Sequence, residues 1–314
     1  MYEISSGSFA NAGIVHTARG RRFLNSCSKD GPMNQITIGN FELTVVSGGT
    51  VRIDGGNIFG VVPRVLWERQ CAPDDENRIL MDTNCLLVRT PDSTGLIDTG
   101  YGDKAPEKVR RRSCMEEGAP LIRNLNTAGV DPEEIDWVIL THLHSDHAGG
   151  ATAVNNNSEF RPVFQKAKHY VQQIEWDDAV SGRPELAGAY SPADFLPLKE
   201  AGLVTLVDEA QEICPGITTQ RTDGHTRGHQ LVSLTSAGQT AVYVGDVCPM
   251  AGHVRALWTM AYDQYPLTTR RTKPDILGRI ADQKQIAILS HDPHAMIVRL
   301  RRDDRSEFKI VPID

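Results

Sequence analysis

The sequence predicts a single α/β domain with β-sheets inside and helices outside. Short alternating or apolar runs that are typical of strands recur from Met33 onward, and amphipathic stretches that are typical of helices interrupt them at intervals. No sequence repeat and no linker-like stretch divides the chain after this point. We therefore expect residues 33–314 to form one compact domain.

The composition limits the kinds of partner. The 314 residues are 40% hydrophobic and 23% charged, which is typical of a globular protein and excludes a wholly disordered or collagen-like chain. The formal net charge of −7 disfavours a broad surface for nucleic acid or for an anionic membrane. We therefore expect a small-molecule substrate, and neither a nucleic acid nor a membrane as partner.

The sequence carries no recognisable signal for export or membrane insertion. No stretch approaches about 18 uncharged apolar residues, and Arg19, Arg21 and Arg22 are not followed by the apolar segment of a secretory signal. The six cysteines show no C-x-x-C spacing and no dense framework, as expected of free thiols in a reducing compartment. These features predict a cytoplasmic protein without disulfides.

Residues 1–32 differ from the rest of the chain. They are rich in Ser, Gly and Asn and lack hydrophobic periodicity. This composition predicts a loosely ordered N-terminal extension, although an arm that crosses to the second subunit of a homodimer would have the same composition. Limited proteolysis separates the two, because a resistant N-terminus contradicts a loose extension.

Two hairpins and a helix are predicted in the first half of the domain. FELTVVSGGTVRI, from Phe41, is typical of two short strands about a Gly-Gly turn, and NCLLVRTPDSTGLIDTG is typical of a hairpin about residues 91–94. APLIRNLNTAGV predicts a short amphipathic helix that ends at Gly129. WVIL predicts a buried strand that runs directly into THLHSDHAGG.

Strands and loops alternate in the second half. KHYVQ predicts a strand, and a helical insertion follows to about Gly202. The chain then alternates between strand and loop through GHTRGH and VGDV, enters a loop-helix region that runs to Ile280, and returns to a strand before SHDPH. VRLRRDDRSEFKIV predicts a final hairpin.

Eight of the ten histidines lie within or beside four short segments that each follow a predicted strand. The segments are THLHSDH, DGHTRGH, GDVCPMAGH and SHDPH. Side chains two residues apart in an extended backbone point the same way, so His142 and His144 can share one metal ion. Once the chain turns at Ser145, Asp146 and His147 point to the other side and can bind a second ion.

A metal centre explains this crowding better than packing does. Three imidazoles and a carboxylate within six residues are costly without a cation, because protonated neighbours repel and buried neutral ones need partners. His229, Asp246 and His291 each lie near the end of a predicted strand and complete the number of donors. Imidazoles with a few carboxylates suit Zn²⁺, while Fe, Mn and Co are also compatible. His16 and His169 stay unassigned, since a lone histidine is more often structural.

Taken together, these motifs resemble those of the metallo-β-lactamase superfamily. THLHSDH followed by Gly-Gly, LIDTG upstream, and GHTRGH, VGDV and SHD downstream occur in the family's order and span most of residues 40–295. The resemblance implies a four-layer αβ/βα sandwich. In this fold two mixed β-sheets pack face to face, helices cover the outer faces, and the metals lie at one edge.

The resemblance also implies which residues bind metal. It assigns His142, His144 and His229 to the first ion, Asp146, His147 and His291 to the second, and Asp246 to both. It further implies that Asp98 of LIDTG orients a ligand histidine or loop amides. His225 of GHTRGH resembles the family's histidine that does not bind metal. Arg227 stands where proline is common in the family, which predicts a less rigid loop.

The activity that the resemblance implies is hydrolysis. Two cations lower the pKa of a shared water, so that a metal-bridging hydroxide would attack a carbonyl carbon or a phosphorus. Asp146 would hold the hydroxide and pass its proton to the leaving group. The spacing of the ligand groups and the HTRGHQLVSL stretch most resemble the branch of N-acyl homoserine lactonase and methyl parathion hydrolase. We therefore expect a binuclear, zinc-dependent hydrolase of a small ester, lactone or organophosphate.

Substrate-binding residues are expected after Asp246. Residues 247–267 are rich in His, Trp, Met and Tyr for a chain that is only 6% aromatic, which predicts one wall of a pocket. His253, Trp258 and Tyr262 are the candidates for contact with the substrate. Packing of Trp258 against the sheet is the alternative to that role.

Two other classes of enzyme stay open. A mononuclear iron oxidoreductase of the persulfide dioxygenase type keeps the H-x-H-x-D-H segment, and metal analysis that finds one iron and no second ion would favour it. A nuclease-type phosphodiesterase also belongs to the superfamily. The net charge of −7 disfavours it, because nucleic acids are polyanions.

Overall fold

The structure is a computed structural model that describes residues 34–303, 307–311 and 313. These residues belong to one compact unit. The predicted N-terminal extension, residues 1–32, lies outside the described residues and stays a prediction.

Strands make up most of the regular structure. The strands are β1 (Gln35–Ile38), β2 (Phe41–Asp54), β3 (Arg78–Arg89), β4 (Thr94–Ile97), β5 (Trp137–Ile139), β6 (Thr152–Val154), β7 (Phe160–Pro162), β8 (Lys168–Gln172), β9 (Val204–Val207), β10 (Ala210–Cys214), β11 (Ile217–Arg221), β12 (Gln230–Ser236), β13 (Gln239–Tyr243), β14 (Ile286–Ile288), β15 (Ile297–Arg302) and β16 (Phe308–Val311). Two seven-stranded mixed sheets contain most of them. The first has the order β1-β2-β3-β4-β5-β8-β9, and the second runs from β10 to β16 in sequence order.

The helices are short apart from the last one. They are α1 (Gly55–Phe59), α2 (Arg64–Trp67), α3 (Glu107–Arg112), α4 (Pro120–Thr127), α5 (Ser145–Ala148), α6 (Gln173–Val180), α7 (Pro192–Glu200) and α8 (Pro266–Asp282). Single 3₁₀ turns lie at Pro132–Glu134, Gly149–Ala151, Pro184–Leu186, Gly245–Val247 and Ala251–Val254. Within the described ranges, no helix combines the length and the apolar character that crossing a bilayer requires.

The inner faces of the two sheets pack against each other. Side chains in this layer are Leu43, Val45, Leu86, Ile97 and Ile139 from the first sheet and Ile217, Val232, Leu234, Tyr243 and Ile288 from the second. All of them are buried, and full burial of one aliphatic side chain stabilises the fold by about 1.5–3 kcal/mol. This apolar layer therefore holds the two sheets together.

Helices cover both outer faces. α4, α6 and α7 bury Leu125, Trp176 and Phe195 against the first sheet. On the second sheet, α8 buries Leu277 and Ile280. The resulting layers are helices, sheet, sheet and helix, which confirms the predicted αβ/βα sandwich.

The predicted turn at Gly48-Gly49 is wrong. β2 is one strand of 14 residues that pairs with β3 along its length, with a shift of register between Ser47 and Thr50. The two glycines form this bulge, where the backbone passes close to its neighbours. A Cβ on Gly49, whose φ is +115°, would lie 2.1 Å from the hydroxyl oxygen of Tyr101. The Gly-Gly pair therefore permits close packing and does not reverse the chain.

The polar loops meet where parallel strands end. β4 and β5 are parallel neighbours in the first sheet, and β13 and β14 are parallel neighbours in the second. Asp98 follows β4, His142 follows β5, Asp246 follows β13 and His291 follows β14. Because the carboxyl ends of parallel strands share one edge, the fold brings these four residues together.

Candidate metal centre

Three imidazoles form the first group of donors. The ring nitrogens of His142, His144 and His225 lie within 4.8 Å of one another. His225 Nε2 is 3.0 Å from His144 Nδ1. His142 Nδ1 lies 3.1 Å from the hydroxyl of Thr141, and its buried Nε2 has no hydrogen-bond partner among the described residues. These nitrogens can bind one cation.

A second group contains a carboxylate and two imidazoles. Donor atoms of Asp146, His147 and His291 also lie within 4.8 Å of one another. His147 Nε2 is 3.1 Å from His291 Nε2, which in turn is 3.5 Å from Asp146 Oδ2. α5 begins at Ser145, directly after His144, so the chain turns between the two groups as the sequence predicts.

Asp246 lies between the two groups. Its Oδ1 is 3.2 Å from His291 Nε2, and its Oδ2 is 3.4 Å from His225 Nε2. The hydroxyl of Ser290 donates to Oδ1 at 2.9 Å, which fixes the carboxylate. One carboxylate therefore contacts both groups, as a ligand shared by two ions would.

The hydrogen bonds of His147 and His291 show that this arrangement needs a positive charge. His147 Nδ1 donates to the Asp98 carboxylate at 2.8 Å, and His291 Nδ1 donates to the Asp82 carbonyl at 2.8 Å. If both imidazoles are neutral, each Nε2 atom then carries a lone pair and no proton, and the two atoms lie only 3.1 Å apart. A proton or a cation must lie between them, and the surrounding donors suit a divalent metal.

The two groups differ in their electrostatics. Burial and the charge of His225 lower the pKa of His144 to about 3, which keeps this imidazole neutral. Burial also opposes the charged form of His147, but Asp246 and Asp98 outweigh it and hold the pKa of His147 well above its usual value. Burial disfavours the charged form of Asp246, yet His291 and His147 hold its pKa well below the usual value.

Asp98 lies where its predicted orienting role requires it. Its Oδ1 accepts the backbone amide of Thr141 at 2.8 Å, and its Oδ2 accepts the Nδ1 proton of His147 at 2.8 Å. The hydroxyl of Tyr243 donates to Oδ2 at 3.1 Å. Asp98 thus fixes the ring of His147 and the start of the segment that carries His142.

The contacts of His229 contradict its predicted place at the first ion. Its Nδ1 lies 2.6 Å from the Thr222 hydroxyl, and its Nε2 accepts the backbone amide of Asp246 at 2.9 Å. Both nitrogens are therefore occupied within the protein. His225 lies in the donor group instead, with its Nδ1 2.9 Å from Asp263 Oδ1. The structure corrects the prediction by exchanging these two histidines.

The sequence offers no local signal that would decide between His225 and His229. Both are flanked by Gly within GHTRGH, and both are buried. Their roles depend on residues far along the chain, because His225 contacts the carboxylate of Asp263, whereas His229 packs against the turn at Gly245. A Cβ at Gly245 would lie 2.5 Å from His229 Nε2, so this close approach requires glycine.

Arg227 restrains its loop through an ion pair, although its position predicted lower rigidity. Its Nε donates to Asp178 Oδ2 at 2.9 Å, and its terminal amino group contacts Asp178 Oδ1. Asp178 is buried on α6 and also binds Arg183. This two-point contact ties the loop to a helix and replaces the constraint that proline supplies elsewhere.

Two of the three substrate-contact predictions are wrong. His253 is buried, stacks on Phe59 at 5.0 Å between ring centroids, and lies 2.9 Å through Nε2 from the Ile58 carbonyl. Trp258 packs edge-on against the same phenylalanine, so the structure favours its packing role. Tyr262 does line the cavity beside the donors, and its hydroxyl accepts from Asn57 Nδ2 at 2.9 Å.

A cavity of about 620 Å³ opens onto the donor groups. His144, Asp146, His225, Asp246 and His291 form its polar end. Its apolar wall consists of Val51, Ile53, Ile58, Met81, Met115 and Met260. The sequence did not indicate this wall, because residues of β2 and β3 that face a cavity alternate like any residues that face a core.

The chain belongs to the metallo-β-lactamase superfamily. The family model, described as "Metallo-beta-lactamase superfamily", matches residues 78–282. These residues include β3, all the donors except His291, and the whole of α8. The match confirms the predicted superfamily.

Curated relatives are N-acyl homoserine lactonases. The chain is 26% identical over 213 residues to the lactonase of Bacillus thuringiensis, which covers 61% of this chain and 78% of the relative. It is 28% identical over 156 residues to a lactonase of Bacillus sp., which covers 46% of this chain and 55% of the relative. The latter match therefore spans about half of that relative's length.

Solved structures agree on the fold. The chain is similar to a probable metal-dependent hydrolase from Staphylococcus aureus, with a TM-score of 0.81, 30% identity, and coverage of 89% of this chain and 99% of that one. It also resembles AidC, a dizinc quorum-quenching lactonase, with a TM-score of 0.73, 24% identity, and coverage of 90% and 98%. The second similarity concerns the fold alone.

Proposed function

We propose that the protein is a binuclear metal-dependent hydrolase of a small ester or lactone that carries an apolar chain. The observation that carries the proposal is a cluster of five imidazoles and two carboxylates at one end of a cavity that also has an apolar wall. Similarity to N-acyl homoserine lactonases supports the same class of substrate. A cavity of about 620 Å³ and a net charge of −7 support a small molecule over a nucleic acid.

Seven residues would hold two divalent ions. His142, His144 and His225 would bind one ion, Asp146, His147 and His291 the other, and Asp246 both. Zinc is the metal we propose, because imidazole and carboxylate donors suit it. Divalent ions in such a site polarise a carbonyl oxygen and lower the pKa of water toward neutrality.

Asp146 is the residue we assign to proton transfer. Its side chain is 35% exposed and lines the cavity, whereas Asp246 is only 5% exposed. The carboxylate of Asp146 can therefore accept a proton from the attacking water and deliver it to the leaving oxygen of the substrate.

Tyr262 would orient the substrate. Asn57 donates to the phenol oxygen of Tyr262, so the phenol proton can be donated into the cavity. A donor aimed at the carbonyl oxygen of the substrate becomes more favourable as negative charge develops there. We assign this role to Tyr262 in place of His253 and Trp258.

The apolar wall would bind the chain of the substrate. Val51, Ile53, Met81 and Met260 can cover aliphatic carbons and remove them from water. Burial of one methylene contributes about 0.8 kcal/mol, or roughly fourfold in affinity. A preference for longer chains should therefore hold until the cavity is filled.

Metal analysis combined with a substrate panel tests the proposal. We expect two metal ions per chain and turnover of lactones and esters that rises with chain length, with loss on chelation and recovery on addition of Zn²⁺. The panel includes phosphotriesters, phosphodiesters and thioesters. Turnover confined to one of these would replace the proposed substrate class, and one iron without a second ion would favour the oxidoreductase class.

The variant His144→Ala tests whether the proposed site carries the activity. The variant removes a first-group donor at the cavity, so we expect turnover to fall below detection while the fold is kept. Unchanged turnover would contradict the proposed site.

A further inference from the structure

α6 carries a buried carboxylate that contacts the backbone of both histidine segments. Glu175 Oε1 accepts the amide of Leu143 at 2.9 Å, and Leu143 lies between His142 and His144. Glu175 Oε2 accepts the Thr226 hydroxyl at 2.6 Å and the Gly228 amide at 3.2 Å. The side chain thus bridges the segments that carry the three donors of the first group.

These segments come from different sheets. Residues 142–144 follow β5 of the first sheet, whereas residues 225–228 precede β12 of the second. The spacing between their donors is therefore not set by hydrogen bonding within either sheet. A rigid acceptor that contacts both segments can set it, because each carboxylate oxygen fixes one backbone position.

Close packing between α6 and the second segment supports this role. A Cβ on Gly228 would lie 2.4 Å from the Glu175 backbone nitrogen and 2.4 Å from its Cβ, so the loop touches the helix directly. One turn further along α6, Asp178 binds Arg227. Two carboxylates on one helix therefore hold the segment that carries His225.

The second donor group has other supports. Asp98 orients His147, and the Asp82 carbonyl orients His291. The contacts of Glu175 with Leu143, Thr226 and Gly228 all lie in segments of the first group. A change at Glu175 should therefore affect one group much more than the other.

We propose that Glu175 is a positioning residue that sets the separation of residues 142–144 from residues 225–228 and thereby the geometry of the first donor group. This inference rests on the proposed metal centre. Glu175 contacts the backbone behind the donors, so its role concerns the affinity and coordination of one ion.

The test uses Glu175→Gln in the full chain. The amide replaces one acceptor oxygen with a donor, which then faces an N–H or O–H donor of one segment. We expect stepwise Zn²⁺ titration against a competing chelator to show one ion weakened on the order of 10–100-fold and the other changed by less than about twofold. The absorption spectrum of the Co²⁺-loaded variant should change for the weakened ion.

A metal-free measurement provides an independent readout. In the metal-free protein, amide hydrogen exchange should accelerate at Leu143 or Gly228 in Glu175→Gln. Asp177→Asn is the matched control, because Asp177 is an exposed carboxylate two residues along the same helix that accepts from Gln173. This control should leave both affinities and both exchange rates unchanged.

The outcomes separate this inference from the proposed function. Two ions in the wild type with unchanged stepwise affinities in Glu175→Gln would overturn the inference alone, and so would equal weakening of both ions. A wild type that binds no metal would overturn both. If Glu175→Gln does not fold, Thr226→Val removes one donor to Oε2 at similar volume. We then expect a severalfold loss for the same ion, and no loss would overturn the inference.

Discussion

Two sets of histidines are equally buried but differ in what their nitrogens contact. Four of the five candidate donor histidines, His142, His147, His225 and His291, and two histidines outside the donor groups, His229 and His253, are each at most 1% exposed. Burial therefore does not distinguish a ligand from a core histidine. The distinction lies in where the lone pairs point.

Candidate donors use one nitrogen to fix the ring and direct the other toward further acceptors. His147 and His291 illustrate this, since both Nδ1 atoms donate and both Nε2 atoms meet at 3.1 Å. His229 instead uses both nitrogens within the protein, and His253 stacks on Phe59. The contacts of each ring nitrogen in the folded protein thus identify metal-binding histidines that the spacing of histidines along the sequence does not identify.

Loss of Asp246 should have the largest effect, because this carboxylate contacts both donor groups. We expect Asp246→Ala to lower kcat/KM by on the order of 10³-fold or more, since activation of water by the metals depends on an intact site. Steady-state kinetics together with elemental analysis check this. Asp282→Ala, which removes an exposed carboxylate paired with Arg302, should leave both unchanged. A loss below tenfold for Asp246→Ala would contradict the shared position of this residue.

Substitution of the two histidines of GHTRGH should separate a ligand from a structural residue. His225→Ala should lose one of the two ions. His229→Ala should keep both ions and lower the free energy of unfolding by about 1–3 kcal/mol, because the buried amide of Asp246 loses its acceptor. Metal counting and urea unfolding check the pair. The reverse pattern would restore His229 as the ligand.

Asp98→Asn should weaken the second donor group to a smaller extent. The amide keeps the shape of the side chain but cannot accept from Thr141, His147 and Tyr243 in the same way. Residues that orient metal-binding histidines typically contribute 10–100-fold in affinity or activity, so we expect a loss in that range. Stepwise Zn²⁺ titration is the measurement. Equal affinities in Asp98→Asn and wild type would exclude an orienting role.

The smallest effect concerns a core histidine away from the donors. Burial lowers the pKa of the His169 imidazole to about 4, below its usual value of 6.5. The unfolded chain then binds the proton more readily, so stability is full above pH 6.5 and is lost as the pH falls toward 4. For this group the loss amounts to roughly 2 kcal/mol between pH 6.5 and 5.

His169→Leu should remove that part of the pH dependence. Urea unfolding of the metal-free protein at pH 7 and pH 5 compares the variant with the wild type. The difference in unfolding free energy between the two pH values should be smaller in the variant. An identical difference would show that His169 is protonated equally in the folded and unfolded chains.

The sequence predicted most of the fold because local patterns specify it. The hairpin of β3 and β4, helix α4 and the buried strand β5 all lie where alternation and apolar runs place them. The H-x-H-x-D-H segment predicted two groups of donors because its spacing alone sets the side-chain directions. These elements depend on neighbours within a few residues.

The wrong predictions all depend on contacts between distant residues. The roles of His225 and His229 depend on the contact of His225 with Asp263 and on the close approach of His229 to the turn at Gly245. The bulge at Gly49 depends on the close packing of Tyr101. Likewise, most of the aromatic segment after Asp246 packs on α1 and α2, whereas Met260, Tyr262 and Gln264 line the cavity. Amino-acid composition alone cannot distinguish a segment that packs in the hydrophobic core from one that lines a cavity when both are apolar.

The most direct test is anomalous diffraction at the zinc edge from crystals of the metal-loaded protein. The account predicts two zinc peaks, one about 2.0–2.1 Å from nitrogens of His142, His144 and His225, the other at similar distances from His147 and His291. A zinc ion bound to His229 Nε2, or a single peak with none between His147 and His291, would contradict it.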